Sequence, residues 1–370
     1  MAAPTDDGER LARAVAAVEA LGPLDARAMT AASARLDGLT KPPGSLGRLE
    51  SIVVTMAGIT GRPDATVSRR AVIVAAADHG VARRGVSAYP QEVTAQMVAN
   101  FLAGGAAISV LAARAGATLT VIDVGIAGEI PAVADTSGRG GRLVSARVRA
   151  GTADMTVGPA MTRGEALAAI AVGLRAGEAA VAQGVELLAV GEMGIGNTTA
   201  ASALTAVLTA TPHESVTGHG TGLDAAGLAR KRAAIGAALA VNAPDPADPL
   251  GVLAAVGGLE IAALVGVILA AVSARVPVLL DGFIAGSAAL VAAALAPGVA
   301  PRLLAAHRSA EPGHAVILRR LGLDPLLELD LRLGEGSGAA LALDLVGAAV
   351  AIRDEMATFA SAGVSGREER

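Results

Sequence analysis

Three glycine-rich stretches carry the residues with the widest chemical scope. The first is Gly191-Glu-Met-Gly-Ile-Gly-Asn-Thr-Thr199, set between a run that predicts a strand and one that predicts a helix. Gly194 and Gly196 permit a tight turn, and the free N–H groups that open a helix, with its dipole, favour an anion. Asn197 and Thr198 suit a helix N-cap and carry side chains able to bond phosphate oxygens. An ordinary βα turn with a cap accounts for the same residues. As a dinucleotide fingerprint the stretch fails at the third glycine, where Thr199 stands, and Glu192 would oppose a pyrophosphate. The second stretch is Gly218-His-Gly-Thr-Gly222, with Lys231 nine residues on. Only two of the 30 basic residues are lysines, Lys41 and Lys231. A compact ammonium is a good point-charge partner for phosphate, although a solvated helix face beside Arg230 and Arg232 is the plainer reading. The third is Leu331-Arg-Leu-Gly-Glu-Gly-Ser-Gly338, where Glu335 lies between Gly334 and Gly336 ahead of a long apolar stretch. Partial burial raises a glutamate toward neutrality, where it serves as a general base. A capping carboxylate in a turn explains it equally, and Arg332 is a candidate clamp for phosphate or carboxylate.

Other chemistries lack their residues. There are no cysteines, so disulfides, thiolate metal sites and a Cys nucleophile are excluded. The five histidines show no metal-ligand spacing, no Ser elbow of the GxSxG type occurs, and no lysine follows a phosphate-binding glycine loop in Walker fashion. A net charge of −4 and only four aromatic side chains argue against nucleic-acid binding.

These residues need a scaffold, and the apolar pattern supplies one. Short apolar runs at 71–77, 119–124, 185–190, 277–280, 302–306 and 326–329 predict strands, and helical stretches such as 165–182, 223–241 and 259–272 lie between them. Continuous apolar strands alternating with helices mean a parallel sheet covered on both faces. The expected fold is therefore α/β, a Rossmann-like parallel sheet of about six strands covered by helices. Residues 66–336 are expected to form the α/β catalytic core. A smaller helical subdomain from both termini, 1–65 with 337–370, packs beside it. Its parts are helices over about 24–36 and 46–59 and a long C-terminal helix over 337–359. Ligands of such a sheet gather outside the carboxyl ends of its strands, which here read Ala77-Asp-His-Gly, Ile122-Asp-Val-Gly, Gly191-Glu-Met-Gly, Leu280-Asp-Gly and Ala306-His-Arg-Ser.

The mean hydropathy of +0.55 raises the question of a membrane. The most apolar long uncharged runs, 93–113 and 282–301, are interrupted by glycines, prolines or polar residues, so no membrane span is expected. The first ten residues lack a basic segment and an apolar one, which points to a cytoplasmic protein.

The blocks Lys41-Pro-Pro-Gly-Ser-Leu-Gly-Arg-Leu-Glu50, Ala77-Asp-His-Gly80, Val121-Ile-Asp-Val-Gly125, Gly191-Glu-Met-Gly, Asn197-Thr-Thr, Val278-Leu-Leu-Asp-Gly-Phe283 and Arg332-Leu-Gly-Glu-Gly-Ser-Gly-Ala339 stand in order along nearly the whole chain. Together they resemble the signature blocks of the nicotinate-nucleotide–dimethylbenzimidazole phosphoribosyltransferase family, which makes the lower-ligand ribotide of cobalamin. The resemblance implies transfer of phosphoribosyl from nicotinate mononucleotide to 5,6-dimethylbenzimidazole or a related base, with no cofactor or metal. It implies Glu335 as the catalytic base and Glu192 as the second acidic residue. Nucleotide and phosphate contacts fall to Gly194, Gly196, Asn197, Thr198, Gly220, Lys231, Ser309 and Arg332. Tyr89, Met97 and Met193 are expected to line the base pocket, and a homodimer is expected. Two other readings stand beside it: an NAD-dependent oxidoreductase resting on Gly194-x-Gly196, and a non-catalytic protein that binds the base or the nucleotide.

Overall fold

A computed structural model describes residues 4–365 of the chain. Six parallel strands form one sheet: β1 (Arg70–Ala77), β2 (Ala117–Gly125), β3 (Arg142–Ser145), β4 (Leu187–Met193), β5 (Val278–Leu280) and β6 (Leu303–Ala305). Their order is β3-β2-β1-β4-β5-β6, the doubly wound arrangement of Rossmann-like sheets. The order reverses between β1 and β4. Connections there leave for opposite faces, which opens a crevice at the carboxyl ends of the strands. Ala76 is paired with Met193, so the segments that follow β1 and β4 leave the sheet side by side.

The strands read as unbroken apolar runs because both faces are covered. Along β1, Ala71, Ile73, Ala75 and Ala77 point into one core, while Val72, Val74 and Ala76 point into the other. The first core takes helices Arg163–Ala182, Asn197–Thr209, Leu259–Ser273 and Phe283–Leu295; the second takes Arg48–Thr60, Val93–Ala103, Ala107–Arg114 and Ser337–Glu355. Of the terminal segments expected to form a helical unit, Ala26–Asp37 and Arg48–Thr60 share the second core with Ser337–Glu355. Pro4–Glu19 places Leu11 and Val18 in the first core. Residues 1–3 and 366–370 of that expected unit lie outside the described residues.

Two expectations need correction. The run 326–329 is no strand: only Leu327 bridges to His307, just beyond β6, and the chain then turns away through Asp330 at φ 52°. The sixth strand is β3 instead, an edge strand with two residues exposed and two half-buried. Having one neighbour and one wet flank, it carries no apolar run to be read. The C-terminal helix also stops early, at Glu355, because Thr358 bridges back to Leu39 and caps a separate turn, Phe359–Ala362.

One stretch, Val93–Arg114, has the length and mean hydropathy (1.5) of a membrane span, with half of that window buried inside the protein. It is folded as two helices divided at Gly104, which closes the first at φ 77°.

The small side chains are used for close packing. Helices Arg163–Ala182 and Leu259–Ser273 cross so tightly that a Cβ on Gly173 would overlap the carbonyl oxygen of Ala263, and one on Gly266 would overlap that of Ile170. Glycine in a helix interior normally costs about 1 kcal/mol against alanine. Here Gly173→Ala is expected to destabilise by about 2 kcal/mol, because overpacking outweighs propensity. The midpoint of urea unfolding reads the sign, and a more stable variant would contradict this packing.

Candidate active site

The strand ends enclose a cleft of about 600 Å³, part of it open to solvent. Carboxylates gather at one side. Glu192, one residue before the end of β4, and Asp281, just after β5, line the cleft; Glu335, only 5 % exposed, follows the lining residue Gly334 and lies behind the lining itself. Gly334, Glu335 and Gly336 have φ of 83°, 66° and 87°. Three consecutive left-handed residues are unusual, and for a glutamate the conformation costs about 1–2 kcal/mol. Neighbouring groups hold it. The Glu335 N–H donates to the Glu192 carbonyl at 3.2 Å. Asp281 accepts from the N–H groups of Gly336 (3.3 Å) and Ala339 (3.0 Å). Gly336 has no side chain with which to cap the helix Ser337–Glu355, so Asp281 caps it from another strand. Gly191 in β4 completes the fit, since a Cβ there would overlap the Gly336 nitrogen.

Burial, and after it the charge of Asp281, pushes the Glu335 carboxyl up to about 7. One of its oxygens, Oε2, is buried without a hydrogen-bond partner among the described residues. Glu192 is raised well above the ordinary carboxylate value, first by burial and then by Glu260, Asp281 and Glu335. One of its oxygens accepts from the Asn197 side-chain amide. Glu260 is fully buried and lies 2.6 Å from Nε2 of buried His79. Burial opposes protonation of His79, but the charge and hydrogen bond of Glu260 outweigh it and raise the imidazole.

Donors gather at the other side. Helix Asn197–Thr209 opens after Gly196 at φ 97° without a side-chain cap; the Asn197 and Thr199 N–H groups donate to the Gly194 and Gly196 carbonyls (3.1 and 3.0 Å). Lys231, fully buried, donates to Thr198 Oγ1 (3.0 Å) and to the Gly218 carbonyl (3.1 Å). Burial pulls its pKa down to about 8, against the opposing charge of Glu311. Arg332 Nη1 donates to the Gly220 carbonyl at 3.3 Å.

A protein-family model described as a phosphoribosyltransferase matches residues 21–364. The chain belongs to this phosphoribosyltransferase family. It is 58 % identical over 348 residues to a nicotinate-nucleotide–dimethylbenzimidazole phosphoribosyltransferase of Desulforudis audaxviator, covering 94 % of this chain and 97 % of the relative. A protein of the same name from Chloroflexus aggregans is 56 % identical, with the same coverage. A crystal structure so named, from Thermus thermophilus, superposes with a TM-score of 0.85 at 49 % identity, covering 93 % of this chain and all of that one.

Within this phosphoribosyltransferase fold, Gly194, Asn197, Thr198, Gly220, Ser309 and Arg332 line the same cleft as Glu192 and Met193. Gly196 shapes the turn between them, and Lys231 reaches the cleft through Thr198. Tyr89 and Met97 are not among its lining residues: Tyr89 is 53 % exposed, and Met97 is half-buried against the second core. Sequence reasoning set Asp281 and His307 at the strand ends without giving either a role, and passed over Glu311, Glu260 and the pairing of His79. Asp281 and His307 stand at strand ends and were legible by position. Glu260, a lone charge in an apolar stretch, was the signal missed.

Glu335 couples protonation to stability. Its carboxyl titrates near 4.5 when unfolded and near 7 when folded, so the native state holds the extra proton across that window. The stability this group adds is full below about 4.5 and is lost as pH rises through 7, a change of about 3 kcal/mol. Glu335→Gln is expected to flatten that fall and to be more stable than the parent at pH 8. Urea unfolding at pH 5 and pH 8 checks it; equal pH dependence in both proteins would refute the assignment.

Proposed function

We propose that the chain transfers the phosphoribosyl group of nicotinate mononucleotide to 5,6-dimethylbenzimidazole or a related base, giving α-ribazole 5′-phosphate and nicotinate. The observation that carries this reading is a buried carboxylate pushed up to about 7, Glu335, directly after Gly334 at the edge of a cleft lined by Thr198 and Arg332, with Lys231 bonded to Thr198 behind it. Membership of the family and the names of its relatives support the choice of substrates.

In the proposed mechanism the phosphate lies against Thr198, Gly220, Lys231, Ser309 and Arg332, with the open end of helix Asn197–Thr209 beside it. The nucleotide's anomeric carbon then faces the carboxylates. Glu335 accepts the imidazole N–H proton, directly or through a water, while the other ring nitrogen attacks that carbon. Nicotinate departs from a pyridinium and needs no acid at its nitrogen. The oxocarbenium character that develops is stabilised by the surrounding carboxylates, and a placed base contributes about 10²–10⁴-fold. Glu192, held by Asn197, positions Glu335 through its carbonyl. Met193 offers the flat base an apolar wall. A cytoplasmic homodimer completes this reading, with the family resemblance as its support. The NAD-dependent oxidoreductase alternative finds no support: Gly194-x-Gly196 follows the fourth strand, and a buried carboxylate stands where a pyrophosphate would lie.

Incubation with nicotinate mononucleotide and dimethylbenzimidazole is expected to release nicotinate. Tight binding of the base without release would identify a carrier instead. Glu335→Gln is expected to keep nucleotide binding and to lose more than nine-tenths of kcat, since general bases usually contribute about a hundredfold or more. The parent's rate is expected to rise with pH through about 7, where the Glu335 carboxyl ionises. Lys231→Ala is expected to raise KM for the nucleotide more than for the base; equal effects would remove Lys231 from the phosphate site.

A further inference from the structure

Glu311 is an anion among the donors just assigned to the substrate's phosphate. It lines the cleft, is 6 % exposed, and its Oε1 accepts the Gly220 N–H at 2.8 Å. That N–H stands where the phosphate donors converge: a Cβ on Gly220 would lie 3.2 Å from Thr198 Oγ1 and 3.4 Å from Lys231 Nζ. Glu311 immediately precedes helix Pro312–Leu321, yet its side chain makes no capping bond to that helix. Instead it reaches back into the turn at 218–220. Its other oxygen, Oε2, is buried without a hydrogen-bond partner among the described residues, so close to Gly218 that a Cβ there would overlap it. A half-satisfied buried carboxylate is costly, and opposite charge nearby offsets that cost: Glu311 is the group whose charge favours the ammonium form of Lys231 against burial.

We propose that Glu311 is an internal stand-in for the substrate's phosphate, occupying the Gly220 N–H and balancing Lys231 until the phosphate displaces it. The inference rests on the mononucleotide reading above. Glu311 is then a specificity-determining residue. A phosphate dianion brings more charge and more acceptor oxygens than the carboxylate it replaces, whereas an uncharged hydroxymethyl end brings neither and leaves Glu311 in place. The site thereby favours a nucleotide over its dephosphorylated nucleoside.

Glu311→Gln tests this, because the amide keeps the size and the acceptor for the Gly220 N–H but removes the charge. Binding of inorganic phosphate, nicotinate mononucleotide and nicotinate riboside is measured by calorimetry on the full chain. The variant is expected to bind phosphate and the mononucleotide about tenfold more tightly, equivalent to about 1.4 kcal/mol, with the riboside unchanged. Glu311→Asp, which keeps the charge, is expected to stay within about threefold of the parent. Weaker binding of either phosphate ligand by Glu311→Gln would overturn the proposal. So would loss of riboside binding, which would make Glu311 an acceptor for a sugar hydroxyl. If thermal melting shows that the glutamine variant does not fold, Glu311→Ala carries the same expected sign. Absence of nicotinate release by the parent would sink the transferase reading, while the inorganic-phosphate titration would still decide the role of Glu311.

Discussion

The contact on which the site depends is the one between Asp281 and the open end of the last long helix. Asp281 belongs to the end of a three-residue strand and binds two N–H groups of a segment more than fifty residues later. Those N–H groups open helix Ser337–Glu355, so the bond is strengthened by charge and by the helix dipole. It fixes the register of that helix on the sheet edge, and with it the left-handed turn that presents Glu335. The same carboxylate raises the proton affinity of Glu335 through its charge. One interaction thus places the proposed base and tunes it, and neither effect can be altered without the other.

That arrangement carries a standing energetic cost. Glu192, Glu260, Asp281 and Glu335 are all buried, and like charges in a poorly solvated region disfavour one another. Protonation relieves part of the cost, which is why Glu192 and Glu335 are both displaced upward. His79 relieves another part by pairing with Glu260. The rest is offset by the scaffold around the cleft, where glycine and alanine let helices and strands approach to backbone contact. The light composition of the chain and the crowded acidity of its cleft are therefore linked: the close packing holds in place a site that would relax if it could.

Much of this was legible in the sequence. Continuous apolar runs marked β1, β2 and β4 because a strand buried on both faces admits only apolar residues, and of the strand ends read from the sequence those after β4, β5 and β6 line the cleft. Edge strand β3 was not legible, since half of its residues face solvent. The run 326–329 misled for the opposite reason, being apolar enough for a strand while the backbone departs after one bridge. Among the candidate site residues, Glu335 and Lys231 stood out by type and neighbourhood, but a turn cap and a solvated helix face fitted those patterns too, and it was the family resemblance that gave them roles. Asp281 was legible as a strand-end residue, but its role was not, because it caps a helix far along the chain, a pairing that no local pattern encodes. Glu311 was hidden likewise. Its sequence position is that of an unremarkable residue before a proline, and only the fold brings it to Gly220.

Charge in the cleft is polarised, and the polarity matches the proposed substrate. Acidic side chains surround the position assigned to the sugar's anomeric carbon, and Lys231 and Arg332 attend the end assigned to the phosphate. A nucleotide entering the other way round would set its phosphate against carboxylates and its developing positive charge against an ammonium. Orientation then follows from electrostatics before any shape is considered. Glu311 is the exception to the polarity, an acid at the basic end. Burial lowers the proton affinity of Lys231, and the charge of Glu311 beside it opposes that shift. An acid placed beside it keeps the ammonium charged while the cleft awaits its ligand. The exception is therefore what preserves the polarity when the cleft is empty.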